Sequence, residues 1–140
     1  MIKTVFNTYT PEGFSNVNSY LFVADPEALI NFLQKAFYAE EINRSINETN
    51  SDISNVILKI GDSCFMISQA RGQFEGMRTA FYLYLEDVDT MYQNALAQGA
   101  EVVFEPADMP YEDRQGGIVD PAGNYWWISK RLVEKGYMGK

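Results

Sequence analysis

"YEDRQGGIVDPAGNYWWIS", residues 111–129, reads as a strand, a four-residue turn and a second strand. Neighbouring side chains on a strand point to opposite faces of the sheet, so Trp126 and Trp127 cannot share an environment. Assigning Trp126 and Ile128 to the core places Tyr125 and Trp127 on the other side. What Trp127 faces decides how the rest of the chain is read.

Working outward, the preceding stretch "AFYLYLEDVDTMYQNALAQGAEVV" has an alternating strand and then a helix after Asp87, with Val88, Met91 and Leu96 on its apolar side and Gly99 at its end. Earlier, "NSYLFVADPEALINFLQKAFYAEE" repeats the plan. Its strand ends at Asp25, where Asp25, Pro26 and Glu27 supply a cap, a first-turn proline and an acidic first turn, and Leu29, Phe32, Leu33 and Phe37 follow at helical spacing. "VILKIGDSCFMIS", with a tight turn at Gly61-Asp62, corresponds to the opening stretch. The chain therefore holds two copies of strand, helix and three strands, joined through "QARGQFEGMRT".

A helix covers one face of a sheet, which makes the residues of the opposite face informative. Leu21 and Val23 are helix-side in the first strand, leaving Asn18, Tyr20 and Phe22 opposite. Val56, Leu58 and Ile60 go inward and leave Asn55, Ile57 and Lys59; Phe65 and Ile67 go inward and leave Cys64, Met66 and Ser68. In the second copy Phe81, Leu83 and Leu85 pack under the helix, while Ala80, Tyr82 and Tyr84 face away with Tyr125 and Trp127. Such an aromatic face requires a pocket or a partner to cover it.

Composition narrows the chemistry. The 140 residues, 46% hydrophobic and 14% aromatic, suit one compact domain with a real core. Eleven Lys and Arg against nineteen Asp and Glu give a net charge of −8, which argues against nucleic acid and anionic membranes and mildly favours neutral or cationic small ligands, although a plain soluble acidic surface accounts for the same charge more simply. The start has no apolar run long enough for a signal peptide, and nowhere do about 18 apolar residues follow one another, so a cytoplasmic protein is expected. The single cysteine, Cys64, cannot form an internal disulfide and reads as a small packing residue. There is no histidine, which excludes Ser-His-Asp and Cys-His nucleophile systems, histidine general bases and imidazole metal ligands within this chain.

The two-copy layout, with "VADPEALINFLQKAF", "KIGDSCFMIS", "LYLEDVDTMYQNALAQGAEVV" and "YEDRQGGIVDPAGNYWWIS", resembles the vicinal oxygen chelate superfamily over about residues 17–130. That superfamily includes glyoxalase I, extradiol dioxygenases, fosfomycin-resistance enzymes and bleomycin-resistance proteins. The nearest likeness is to its glyoxalase-like bacterial branch, labelled demethylubiquinone methyltransferase-like. The resemblance implies an α+β fold in which two βαβββ modules form an open, curled mixed sheet around a cleft, usually in a homodimer. It implies a single glyoxalase-like domain over residues 1–140, with modules at about 17–69 and 78–130, an N-terminal arm at 1–16 and a C-terminal tail at 131–140.

Metal-binding members carry His or Gln in the first strand, Glu or His in the third strand of the first module, His opening the second module and Glu in the closing strand. By strand register these positions fall on Asn18, Ile57, Ala80 and Trp127, and Asn55 stands where many relatives have His. Neutral amides are poor ligands and Ile, Ala and Trp are none, so neither a metal nor any other cofactor is expected. The expected site is an aromatic cleft of Asn18, Tyr20, Phe22, Asn55, Ile57, Lys59, Met66, Tyr82, Tyr84, Tyr125 and Trp127 that holds a small, flat or cationic molecule. Two alternatives stand beside it: a superfamily lyase or isomerase with a non-standard or absent metal site, and a dimeric structural or regulatory domain without a ligand.

Other motifs read as ordinary. Glu112, Asp113 and Arg114 read as an acid with its electrostatic partner near the cleft mouth or, more ordinarily, as a surface ion pair in a loop; Lys59 reads as an anion-binding cation or a desolvated base or, more ordinarily, as a side chain that extends to water. "GQFEG" and "QGG" lack the strand-to-helix context of phosphate loops, and "PADMPYED" is a Pro-containing loop of the kind that can lid a cleft, with Met109 and Tyr111 as its apolar contacts, or more ordinarily a plain connector.

Overall fold

The computed structural model describes residues 2–138. After a short helix α1 (Ile2–Val5) come β1 (Tyr20–Val23), α2 (Pro26–Phe37), β2 (Glu40–Ile46), β3 (Ile53–Ile60) and β4 (Ser63–Gln69). A 3-10 turn at Gly72–Phe74 leads to β5 (Ala80–Tyr84), α3 (Val88–Ala97), β6 (Glu101–Asp108), β7 (Asp113–Val119) and β8 (Tyr125–Arg131). The strands form two four-stranded mixed sheets, ordered β1-β4-β3-β2 and β5-β8-β7-β6. In each sheet the first strand runs parallel to the last and the other pairs are antiparallel. The α+β class and the twice-repeated strand, helix and three strands are as the sequence indicates.

These elements gather into two compact units: the chain up to Pro26 with Tyr38–Met77, and Glu27–Phe37 with the chain from Arg78 onward. Helix α2 thus groups with β5–β8, where Phe37 brings its ring 5.0 Å from that of Trp126. The sequence reading lays each helix over its own flanking strands, and for α2 the grouping departs from that. Chain adjacency does not fix which apolar surface a helix stripe joins.

In the first unit the inward set Leu21, Val23, Val56, Leu58, Phe65 and Ile67 is buried, as alternation requires. On the opposite face Cys64 and Ser68 are buried too, although the sequence places both outward. The backbone N–H of Cys64 donates to the Gly13 carbonyl at 2.8 Å, so the N-terminal segment lies against it. Asn18 is expected within the first strand but precedes β1. Its amide closes a local loop on Ser15 instead, accepting from the Ser15 N–H at 2.8 Å and donating to the Ser15 carbonyl at 2.6 Å.

In the second unit Trp126 is 2% exposed and stacks on Phe81 with ring centroids 4.2 Å apart. Its indole N–H donates to Asp120 Oδ2 at 2.8 Å, while Asp120 Oδ1 accepts from the N–H groups of Ala122 and Asn124 at 2.8 and 3.0 Å. One carboxylate therefore closes the turn and fixes the tryptophan beyond it. The pairings of β8 with β5 and β7 run without a shift through Trp126 and Trp127, so the period of two holds there. Helix α3 begins at Asp87, whose carboxylate accepts from the Thr90 N–H at 3.1 Å. Its buried residues are Val88, Tyr92 and Ala95. Met91 and Leu96, expected on that face, are only partly covered because the Tyr92 ring descends onto Gly116, where a Cβ would lie 3.1 Å from Tyr92 Cδ1.

Candidate functional site

On the face of the second sheet that carries Trp127, register defines rows of side chains. Tyr82, Trp127 and Gly117 are in line, then Tyr84, Ser129 and Gln115, and then Arg131 with Asp113 at the end of the sheet. Trp127 is half-buried, with the rings of Tyr125 and Phe104 at 6.1 and 6.3 Å. Phe104 reaches this position because Gly117 has no side chain: a Cβ there would lie 2.5 Å from Phe104 Cε1.

Beside this row lies a cavity of about 420 Å³ lined by Tyr82, Tyr84, Tyr111 and Tyr137. Beneath it Asp113 is wholly buried. Its Oδ2 accepts from the Tyr82 hydroxyl and, at 2.7 Å, from the Tyr137 hydroxyl; its Oδ1 accepts from Arg131 at 3.1 Å. The Tyr84 and Tyr137 hydroxyls are themselves hydrogen-bonded. Tyr111 donates to Gln115 Oε1, and Gln115 Nε2 donates to Ser129 Oγ at 2.7 Å. Arg131 also donates to the carbonyls of Tyr111, Lys135 and Gly136, and its guanidinium lies 4.1 Å from the Tyr137 ring centroid.

Burial alone would raise the Asp113 carboxyl, but the hydrogen bonds from Tyr82, Tyr137 and Arg131 outweigh it and hold the group below its ordinary range. Burial, followed by the hydrogen bond to Asp113, pushes the Tyr82 phenol up. Tyr137 is pushed up by burial and then by its bonds to Tyr84 and Asp113. At neutral pH the carboxylate is ionised and these two phenols keep their protons.

The sequence reading of Glu112, Asp113 and Arg114 as one surface ion pair is thereby corrected. Strand alternation separates them: Arg114 turns to the helix side, where it binds Asp89 at 2.8 Å and Asp108 at 3.0 Å, and Asp113 turns to the tyrosine side. Glu112 pairs with Lys135 at 3.6 Å. Counting back by twos from Gly117 reaches Gln115 and Asp113, so the signal for both was present in "EDRQGG". Tyr137 had no such signal, because it lies beyond the last strand.

Of the residues expected in a cleft, Tyr82 and Tyr84 line this cavity. Tyr125 lines a separate cavity of about 360 Å³ with Arg78, Glu101 and the Asp120–Gly123 turn. In the first unit Tyr20, Met66 and Ile57 lie in register, and Asn55 Nδ2 reaches the Tyr20 hydroxyl at 3.4 Å. Tyr20 donates to Ser68 Oγ at 2.7 Å, since the Ser68 proton is given to the Ser54 carbonyl at 2.6 Å. Tyr20, Phe22 and Phe74 form a continuous ring stack with centroid spacings of 4.6 and 4.5 Å. Phe74 was not foreseen. It rides on the 3-10 turn next to Arg71, whose guanidinium grips Asp52 at 2.7 and 2.8 Å. Lys59 is partly exposed, in register with Glu40 and Cys64.

A family model described as Glyoxalase/Bleomycin resistance protein/Dioxygenase superfamily matches residues 13–128. An uncharacterized protein of Mycobacterium tuberculosis is 28% identical over 129 residues, covering 84% of this chain and 75% of that relative. Among solved structures, TioX from Micromonospora sp. ML1 superposes with a TM-score of 0.68 at 21% identity, over 87% of this chain and all of the other. The genomically encoded fosfomycin resistance protein FosX from Listeria monocytogenes superposes with a TM-score of 0.66 at 23% identity, over 84% of this chain and 93% of the other.

The positions that the superfamily resemblance assigns to a divalent metal do not fit one here. Both polar atoms of the Asn18 amide are engaged by Ser15, and Ile57, Ala80 and Trp127 offer no lone pair for coordination. Among the described residues, no group of three or more His, Cys, Asp or Glu converges to hold a metal ion.

Proposed function

The chain belongs to the Glyoxalase/Bleomycin resistance protein/Dioxygenase superfamily, and on that premise we propose that it binds a small, flat or cationic organic molecule against its aromatic sheet faces without a metal ion. The observation that carries this reading is the 420 Å³ cavity walled by Tyr82, Tyr84, Tyr111 and Tyr137. Phenol rings offer broad apolar faces with negative quadrupoles, which hold planar and cationic groups by stacking and by cation–π attraction. The net charge of −8 acts in the same direction at long range and disfavours nucleic acid. No helix among the described residues is long and apolar enough to cross a membrane. The proposal extends to a cytoplasmic homodimer, and to the first-unit residues Asn18, Tyr20, Phe22, Asn55, Ile57, Lys59 and Met66 and the second-unit residues Tyr125 and Trp127 as ligand-facing positions.

The test is a ligand-observed NMR screen of planar cations and neutral aromatics against protein stripped of metal with EDTA. Binding is expected before and after EDTA treatment, and Tyr84→Ala combined with Tyr111→Ala is expected to weaken it by ~1–3 kcal/mol. Binding that vanishes with EDTA and returns with a divalent ion would refute the metal-free reading.

A further inference from the structure

The cavity of about 360 Å³ beside Tyr125 carries charges of both signs. Register places Tyr125, Val119 and Glu101 in one row across β8, β7 and β6, so the three side chains share a sheet face, with Glu101 two strand spacings, ~10 Å, from Tyr125. Arg78 enters from the other side, on the segment before β5. The Tyr125 N–H donates to the Thr79 carbonyl at 2.9 Å and the Thr79 N–H donates to Asn124 Oδ1 at 2.8 Å, which ties that segment to the turn between β7 and β8. The arginine then lies over Gly123, its Nε 3.6 Å from where a Cβ would stand. Arg44, Arg71, Arg114 and Arg131 each grip a carboxylate. Arg78 does not, although Glu101 lines the same cavity: among the described residues neither of these two side chains has a hydrogen-bond or ion-pair partner. Asp120, also in the lining, is 4% exposed and its oxygens accept from Trp126 and from the Ala122 and Asn124 N–H groups, so its hydrogen bonding is directed inward.

We propose that this cavity binds a small zwitterion whose carboxylate and ammonium are separated by a flat apolar spacer, with the carboxylate on Arg78, the ammonium on Glu101 and the spacer against Tyr125 and Val119. An anion alone would leave Glu101 uncompensated and a cation alone would leave Arg78 so; one ligand with both charges satisfies the two together. The planar fork of a guanidinium matches a carboxylate in particular. The proposal extends the reading of Tyr125 as a ligand-facing position. It shares no lining residue with the tyrosine cavity, so either reading stands or falls without the other.

NMR titration of the isotope-labelled full chain, followed at the amides of Gly99, Glu101, Gly123 and Tyr125, reads affinity at this cavity alone. The probes are para-(aminomethyl)benzoate, para-methylbenzoate and para-methylbenzylammonium, which are alike in size and differ in charge. The zwitterion is expected to bind there about fivefold or more tightly than either singly charged probe, as two exposed charge pairs allow. Arg78→Gln should weaken the zwitterion and para-methylbenzoate but not para-methylbenzylammonium, and Glu101→Gln should weaken the zwitterion and para-methylbenzylammonium but not para-methylbenzoate. Both residues are exposed, so both variants are expected to melt as the native chain does. A zwitterion that binds at these amides no more tightly than the other probes, or whose affinity survives both substitutions, overturns the inference. Shifts confined to the amides of Tyr82, Tyr84 and Tyr111 overturn it too, and support the tyrosine cavity instead. Failure of the zwitterion to shift any amide overturns this inference and leaves the tyrosine cavity to its own screen.

Discussion

Asp113 links the phenols, the arginine and the end of β7, and its burial makes it sensitive to change. Removing one partner of a buried ion pair leaves the other uncompensated, so Asp113→Ala is expected to cost ~3–5 kcal/mol in urea melts, although the residue lies at a strand end. Its depressed pKa has a definite sign. A carboxyl more acidic in the folded chain than its ordinary 3.8 stabilises the fold above that pH, and the contribution is lost as pH falls through the lower folded value. Melts of the native chain and Asp113→Asn between about pH 7 and 2 should therefore converge below about pH 4. A constant gap across that range would show that the carboxylate is not the titrating group. Asp120 is the opposite case: burial, set against hydrogen bonds from Trp126 and the turn N–H groups, pushes its carboxyl up. The two residues lie on one strand and the turn after it, yet their environments move them in opposite directions.

Strand β7 shows the same economy at the level of an element. Its two adjacent glycines face opposite sides, and each admits an aromatic ring: Gly116 takes Tyr92 from α3, and Gly117 takes Phe104 from β6. Glycine in a strand interior is intrinsically weak, by roughly 0.5–1 kcal/mol relative to alanine, so its presence twice in succession needs these rings to offset it. Gly117→Ala, whose Cβ would lie 2.5 Å from the Phe104 ring, is expected to destabilise by ~1–3 kcal/mol. In a Phe104→Ala background the same change should become neutral or stabilising, because the collision is gone and only the alanine preference is left. Chemical denaturation of the four proteins of this cycle measures the coupling; equal costs in both backgrounds would mean that the ring does not rest on Gly117. Gly116→Ala should be milder, since its nearest neighbours at 3.1 Å are side-chain atoms of Pro106 and Tyr92 that need to yield by only a few tenths of an ångström.

At the scale of the molecule, the proposed homodimer is the testable consequence of two open sheets. Edge strands β2 and β6 carry exposed Ile42, Ile46, Val102 and Val103, and unpaired edges of this kind invite a second chain. Light scattering at micromolar concentration should return about twice 15.9 kDa; a mass near 15.9 kDa would remove the dimer from the proposal. By itself the sequence determined the repeat, the strand faces and the separation of Trp126 from Trp127, because period-two and helical patterns are local and apolar side chains must leave water. The same alternation held Asp113, yet its charge made it read as surface: a sequence carries no count of the partners that make burying a carboxylate tolerable. Only the tertiary structure brought Tyr82, Tyr137 and Arg131 to Asp113, folded Phe104 across Gly117 and grouped α2 with the second sheet. These contacts join residues far apart in the chain, and their energies depend on desolvation and exact fit that no local pattern encodes.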